Sequence, residues 1–488
     1  MTRISLPAYQ PRIPTQIAIA SVMGISVGLI GMAMADQGSK NLAIVAGIFI
    51  LPVMMMVTRN AQRVLLFGIY LDTCLRIEKF FSCDTDNYLS TCGFHISLSF
   101  VFVVILYVLW LYDLRRNPAA PRPRLTISGG IGVAFLGALL LSLANAIQLT
   151  YSFYEIWLFF TVFLVFYYLV NHIHSKDDVL FFLYVFMFAM TVQVAVMELQ
   201  GLGFLGVGRQ GRINGTLGSP NFMGGMIAQS MAIVIAALFM KLPRRVKLYM
   251  SVLLVFAVHS IIGTQSRGGW TALLVAVLII IVGGLWKRWL GPKMLVAILC
   301  AAAVFLVIFS APINNRLYGD DNGSADSRGP LAEIAFNMIQ AKPVLGVGIN
   351  NFGFVLYDYI DLRQYGRWLN LVHNFWLLIW SETGTIGLIL YVSFWLSAVV
   401  QAWRIIRRGD PFFGPLALGM VAGMCGAALH MINELYTGRA LIQLVWVEVA
   451  MLNAMGFLSQ QTQHRPAPLP VQHPAREAIV HHRIDELF

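Results

Sequence analysis

His373 and Asn374 open the run HNFWLLIWSETGTIGLILY, where a polar pair abuts the start of a segment too apolar for water. Histidine has an ordinary pKa that lets it accept a proton near neutral pH. An imidazole at the water edge of a bilayer span is therefore equipped to act as general base on a lipid-borne substrate. The plainer alternative is an interfacial histidine without chemistry. Upstream, Arg209 and Arg212 occur in GRQGRINGTLGSPNFMGG without one acidic neighbour. A guanidinium grips phosphate oxygens two at a time, and Gly208, Gly211, Gly215 and Gly218 would let backbone amides approach the same anion. The competing reading is snorkelling to lipid headgroups, which suits Arg209 better than Arg212.

Arg267 in QSRGGW could join such a site or pair with Glu382 or Glu434. Arg328 in DSRGP could clamp a second phosphate or brace Asp320, Asp321 or Asp326. Glu382 lies nine positions beyond His373 (382 − 373), about two and a half turns on, and so falls toward the opposite face of a straight helix. It can be a supporting residue there, but not the direct partner of His373. Glu198, Glu448, His259 and His430 fall in or near apolar runs and need internal partners; a transporter would use them as an ion path. The chain contains no phosphate-cradling GxxxxGK[ST] loop, no dinucleotide fingerprint and no HExxH helix, so neither a metal nor any other cofactor is implied.

These residues have to be positioned in a bilayer. Of 488 residues, 58% are hydrophobic and 12% charged, which makes lipid the solvent for most of the surface. Long unbroken apolar runs select helices over a barrel. Hydropathy predicts an all-α polytopic membrane protein of roughly 12 to 14 transmembrane helices, with runs at 17–35, 41–57, 64–74, 95–112, 127–147, 154–171, 179–198, 221–240, 246–264, 270–286, 294–311, 374–402, 413–433 and 440–458. Met1 to Gln16 is polar, and the run from Ile17 reads as an uncleaved first span. The net charge of +11 comes largely from short basic clusters around Arg59, Arg115, Lys241, Lys287 and Arg407. They mark cytoplasmic loops rather than a nucleic-acid surface. Both termini are then cytoplasmic, while 75–94, 199–220, 265–269, 312–373 and 434–439 lie outside.

The chain divides into a helix bundle over 1–311, an outer loop over 312–372, further spans over 373–459, and a Pro- and His-containing tail over 460–488 expected to be disordered. The outer loop carries Arg316, Arg328, Arg363 and Arg367. Its segment PLAEIAFNMIQA, 330–341, has the spacing of a short amphipathic helix, and KPVLGVGINNFG follows as a tight turn. Cys83 and Cys92 flank an outer segment where an oxidising compartment would permit a disulfide; sequence leaves the pairing open.

Taken in order, RINGTLGSPN at 212–221, SRGG at 266–269, SRGPLAEIAFNMIQAKPVLGVGINNF at 327–352 and HNFWLLIWSETGTIGL at 373–388 resemble the O-antigen ligase and polymerase superfamily of bacterial envelope glycosyltransferases. The resemblance covers roughly residues 200 to 400. It implies a GT-C-like, metal-independent enzyme of the inner membrane with its active site facing the periplasm. Such an enzyme transfers a glycan from an undecaprenyl diphosphate carrier to a hydroxyl of another glycan or of lipid A core. By the same resemblance, Arg212 and Arg328 would bind the carrier diphosphate and His373 would be the catalytic histidine, with Arg209, Arg267, Asn374 and Glu382 as supporting residues. A polysaccharide or lipid transporter, a protein O-oligosaccharyltransferase and a non-catalytic scaffold are the rival readings.

Overall fold

The structure, a computed structural model, describes residues 60–83, 90–119, 121–208, 211–318, 328–361 and 370–463. The expected spans at 17–35 and 41–57, Arg209, Arg363, Arg367, Asp320, Asp321, Asp326 and the tail beyond 463 lie outside those residues. In chain order the elements are α1 (Ala61–Leu75), the hairpin β1 (Glu78–Phe81) and β2 (Phe94–Ser97), α2 (Leu98–Arg116), α3 (Ile127–Ser142), α4 (Leu149–His172) and α5 (Lys176–Gly201). Next come α6 (Pro220–Ala237), α7 (Arg244–Gly263), α8 (Arg267–Trp286), α9 (Pro292–Ile308), α10 (Ser310–Tyr318), α11 (Arg328–Ala341) and α12 (Phe352–Val355). The chain ends in α13 (Phe375–Arg408), α14 (Phe413–His430) and α15 (Arg439–Gln463).

Among the described residues, ten helices are long and apolar enough to cross a membrane, which makes this an all-α polytopic membrane protein. Each apolar run expected there is a helix. Two fall short of a full crossing: α1 has 15 residues and α9 has 17, about 22 and 26 Å of helix against a hydrocarbon core of roughly 30 Å. The loop helix appears as α11, burying Leu331, Ile334, Ala335 and Met338 at the spacing read from sequence.

Polar residues start the spans. Ser219, Ser266 and Asn374 each accept a backbone N–H three residues on, from Phe222, Gly269 and Leu377, and so begin α6, α8 and α13. Pro220 adds its fixed φ at the first helical position of α6. The most enclosed spans, α15, α14 and α6, pack through small residues in the way membrane interfaces favour. A Cβ on Gly269 would come within 2.9 Å of the Gly224 backbone, and one on Gly426 would lie 2.4 Å from the Ala272 carbonyl. These close approaches draw the starts of α6 and α8 and the end of α14 to one point. At the opposite end Lys287 Nζ donates to Arg407 O at 3.1 Å, joining two of the basic clusters.

The long helix α13 is broken at Gly384, with φ +67° and ψ −174°. The carbonyls of Ser381 and Glu382 lose their helical partners there and instead accept from Val347 N at 2.9 Å and Gly348 N at 3.0 Å. Thr385 N returns a bond to Pro343 O at 2.9 Å. The turn after α11 is thus a plug that satisfies the break, as backbone shielded from water requires. Asn145 Nδ2 holds Gly346 O, and Asn351 Oδ1 accepts from Ile147 N and Gln148 N, fastening the plug to the end of α3.

The hairpin is closed by a Cys83–Cys92 disulfide with Cα atoms 4.7 Å apart. At its base, Glu78 lies between Arg76 and the buried Arg439, which also reaches Asp72 at 2.9 Å. Burial by itself would raise the Glu78 carboxyl, but Arg439 and then Arg76 outweigh it and hold the group at about 2. Arg76 Nη1 donates in turn to Leu217 O, and Thr216 Oγ1 to Leu75 O, so this cluster props the loop that leads into α6.

Replacing Gly384 with alanine puts a side chain in a conformation open almost solely to glycine and drives its Cβ to 2.2 Å from Val344 O. A loss of about 2 kcal/mol or more is expected, read as a lower thermal midpoint in detergent. A lowered folded pKa means Glu78 contributes stability that is complete above the ordinary carboxylate range and disappears as pH falls from about 4.3 toward 2. Glu78→Gln is expected to remove that acid-side slope and, by leaving Arg439 undercompensated, to cost about 3 kcal/mol at neutral pH. Thermal midpoints of both proteins across pH check this.

Candidate active site

Five segments distant in sequence meet at the end of the bundle away from Lys287 and Arg407. The loop before α6 brings Arg212, whose Nε donates to Thr264 O at 2.9 Å and whose Nη2 donates to Asn221 Oδ1 at 2.7 Å and Gln265 O at 3.3 Å. Gln265 sits at φ +52° in the turn between α7 and α8, and its carbonyl also accepts from Arg316 Nε at 2.9 Å. Arg267 begins α8, and Arg328 begins α11.

Arg212, Arg267, Arg316 and Arg328 all line one cavity of about 280 Å³ with Asn221, His430, Asn433 and Glu434. That is near the lower end of the range for small-molecule sites, roughly 300 Å³. Among the described lining residues Glu434 is the one carboxylate. Burial lowers the Arg212 pKa, Arg316 and Arg267 push it the same way, and Glu434 pulls back. Two unit charges about 5 Å apart at an effective dielectric near 20 repel by roughly 3 kcal/mol, so this array is suited to an anion. The starts of α6 and α8 add positive dipole ends at the same place. Arg328 Nε is buried and has no hydrogen-bond partner among the described residues, and the same holds for His430 Nδ1. A buried guanidinium nitrogen in that state is costly, and an oxyanion in the cavity would satisfy it.

His373 precedes α13 and is partly open, with 28% of its side chain exposed. The segment entering the helix is pinned by Phe375 N, which donates to Met431 O at 2.8 Å and Glu434 O at 3.2 Å. This clamp sets His373 Nδ1 3.8 Å from Glu434 Oε1, an ion-pair contact longer than a hydrogen bond. Burial alone would raise the Glu434 carboxyl; the adjoining His373 and then His430 hold it below the usual range. Asn221 Nδ2 donates to the other oxygen, Glu434 Oε2, at 2.6 Å.

Of the residues singled out in sequence, the structure brings Arg212, Arg267 and Arg328 into one cavity and sets His373 against its Glu434 wall. Asn374 serves as the cap of α13, its Oδ1 accepting from Leu377 N at 3.1 Å. Glu382 lies elsewhere: it is buried, and its Oε1 accepts from Phe352 N at 3.1 Å beside the break in α13, so it supports the plug rather than the cavity. Arg209 is outside the described residues. Glu198, His259 and Glu448 find partners away from the cavity. Glu198 pairs with His259 at 2.8 Å and accepts from Ser260, while Glu448 accepts from Gln229 at 2.8 Å. Sequence reasoning missed Asn221 and His430 as lining residues and saw Glu434 only as a partner for Arg267. The signal for Asn221 was its place at the end of RINGTLGSPN.

Residues 252–392 match the family model described as O-antigen ligase. The matched stretch runs from α7 into α13 and includes Arg267, Arg316, Arg328 and His373, while Arg212, Asn221 and Glu434 lie outside it. The match bears out the resemblance to the O-antigen ligase and polymerase superfamily and, with the helical bundle, supports a membrane glycosyltransferase at the level of that family. No curated protein sequence matches the chain.

Proposed function

We propose that the protein transfers a glycan from an undecaprenyl diphosphate carrier to a hydroxyl of an acceptor glycan or of lipid A core, at the periplasmic face of a bacterial inner membrane. The observation that carries this reading is the cavity lined by four arginines beside His373. The sidedness rests on the basic clusters that gather at the other end of the bundle, where a cytoplasmic surface is expected.

In this reading Arg212 and Arg328 hold the carrier diphosphate, with Arg267 and Arg316 adding field. His373 takes the proton of the acceptor hydroxyl. The freed oxygen attacks the anomeric carbon as the bond from that carbon to the diphosphate oxygen breaks, and the electron pair leaves with the diphosphate. The guanidiniums stabilise the charge that grows there. One direct displacement inverts the anomeric centre. The proton on His373 is released to water at the open side of the imidazole.

Arg212→Lys and Arg328→Lys keep the charge and lose the two-pronged contact, so each is expected to reduce kcat/KM about 10- to 100-fold without unfolding the protein. Normal transfer by both variants would remove the diphosphate-clamp role. For His373→Ala, turnover is expected to drop by about 10² to 10⁴, and His373→Gln, which cannot carry the proton, is expected to stay as low. Undecaprenyl diphosphate binding should survive in both. The assay is glycan transfer by purified protein supplied with carrier-linked glycan and acceptor extracted from the host envelope.

A further inference from the structure

Between the base and the diphosphate-binding guanidinium runs an unbroken line of polar contacts. Arg212 Nη2 donates to Asn221 Oδ1, Asn221 Nδ2 donates to Glu434 Oε2, and Glu434 Oε1 faces His373 Nδ1. The direction of the amide is forced, since a guanidinium offers donors alone and a carboxylate acceptors alone. Glu434 is 5% exposed and is the one carboxylate among the described residues that line the cavity. Its loop and the start of α13 are locked together by the Phe375 amide, so the carboxylate and the imidazole cannot drift apart independently.

We propose that Glu434 is the positioning residue for His373, fixing the ring with Nδ1 toward the carboxylate and Nε2 toward the acceptor, and that Asn221 couples this pair to Arg212. The inference rests on the general-base reading of His373 given above. A histidine whose second nitrogen faces a carboxylate is held in one tautomer and orientation, and the imidazolium formed when it takes a proton is stabilised. The link through Asn221 makes the donor clamp and the base parts of one network, so an acceptor proton is taken where the diphosphate is held. The other charged or titratable groups around the pair are His430 at the end of α14, Arg212, Arg267 at the start of α8, Arg316 on α10 and Arg328 on α11. Among these described groups Glu434 is the one whose charge favours a positive imidazole.

Glu434→Gln keeps the shape and removes the charge. Expected are a kcat lower by about 10- to 100-fold and a nearly unchanged KM for the carrier-linked glycan. In a His373→Ala background the same substitution should cost nothing further, since a positioning residue has no base left to position. A Glu434→Gln protein with wild-type kcat, or losses that multiply in the double variant, would overturn the proposal while leaving His373 as base. Loss of undecaprenyl diphosphate binding by Glu434→Gln would also overturn it, because the carboxylate would then be holding the cavity together. Wild-type turnover by His373→Ala would instead end the general-base reading itself.

Discussion

Mutual repulsion among four guanidiniums is the constraint around which this end of the molecule is arranged. Arg212, Arg267, Arg316 and Arg328 face the same small cavity, where Glu434 is the one carboxylate among the described lining residues, and like charges gathered this way have to be held against one another. The protein uses carbonyl oxygens for part of this. Thr264 O takes Arg212 Nε, and Gln265 O, turned inward by a positive φ, serves both Arg212 and Arg316. Carbonyl dipoles moderate this charge, and an anionic headgroup is the kind of ligand that would neutralise more of it. Arg328 Nε, buried and without a hydrogen-bond partner among the described residues, is the sharpest local sign of that demand.

Holding such an array requires a frame that does not yield. The loop bearing Arg212 is tied on several sides: Ile213 N to Gly263 O, Gly215 N to Gln200 Oε1, Thr216 Oγ1 to Leu75 O, and Leu217 O to Arg76. Glycine contacts between α6, α8 and α14 bring three helix ends within reach of one ligand. Farther along, the break at Gly384 and the turn that plugs it fix the end of α11 relative to α13, and Arg328 stands at the other end of that helix. The GVGINN segment therefore acts on the cavity through architecture, without touching it.

Much of this was legible in the sequence. Arg212, Arg267 and His373 stand out because charge and imidazole are expensive beside apolar runs and because each opens or precedes a span, and Arg328 because it opens the amphipathic helix of the outer loop; these are local properties. The spans themselves follow from hydropathy. Asn221 and Glu434 were harder to place because their meaning lies in each other, and they are 213 residues apart. No periodicity reports a contact made by the closing of a bundle. Glu382 drew notice for the same reason as the arginines, a charge inside an apolar run, yet its use is to bond the Phe352 amide near a helix break. A carboxylate that satisfies backbone and one that serves chemistry look alike until the fold shows what faces them. The reading of the Cys83–Cys92 pair was open for a similar reason, since the hairpin that brings them together is formed by strands of four residues each.

In the proposed reading the arrangement would join two tasks at a bilayer edge: gripping a charged headgroup whose tail stays in lipid, and taking a proton from a sugar hydroxyl that arrives from water. The most direct measurement is an experimental structure of the full-length protein in lipid nanodiscs with undecaprenyl diphosphate bound. The expected result places the diphosphate in the arginine-lined cavity, with oxygens at hydrogen-bond distance from Arg212 and Arg328 and the imidazole of His373 beside it. A headgroup seated elsewhere on the protein, with these guanidiniums still facing an empty cavity, would contradict it.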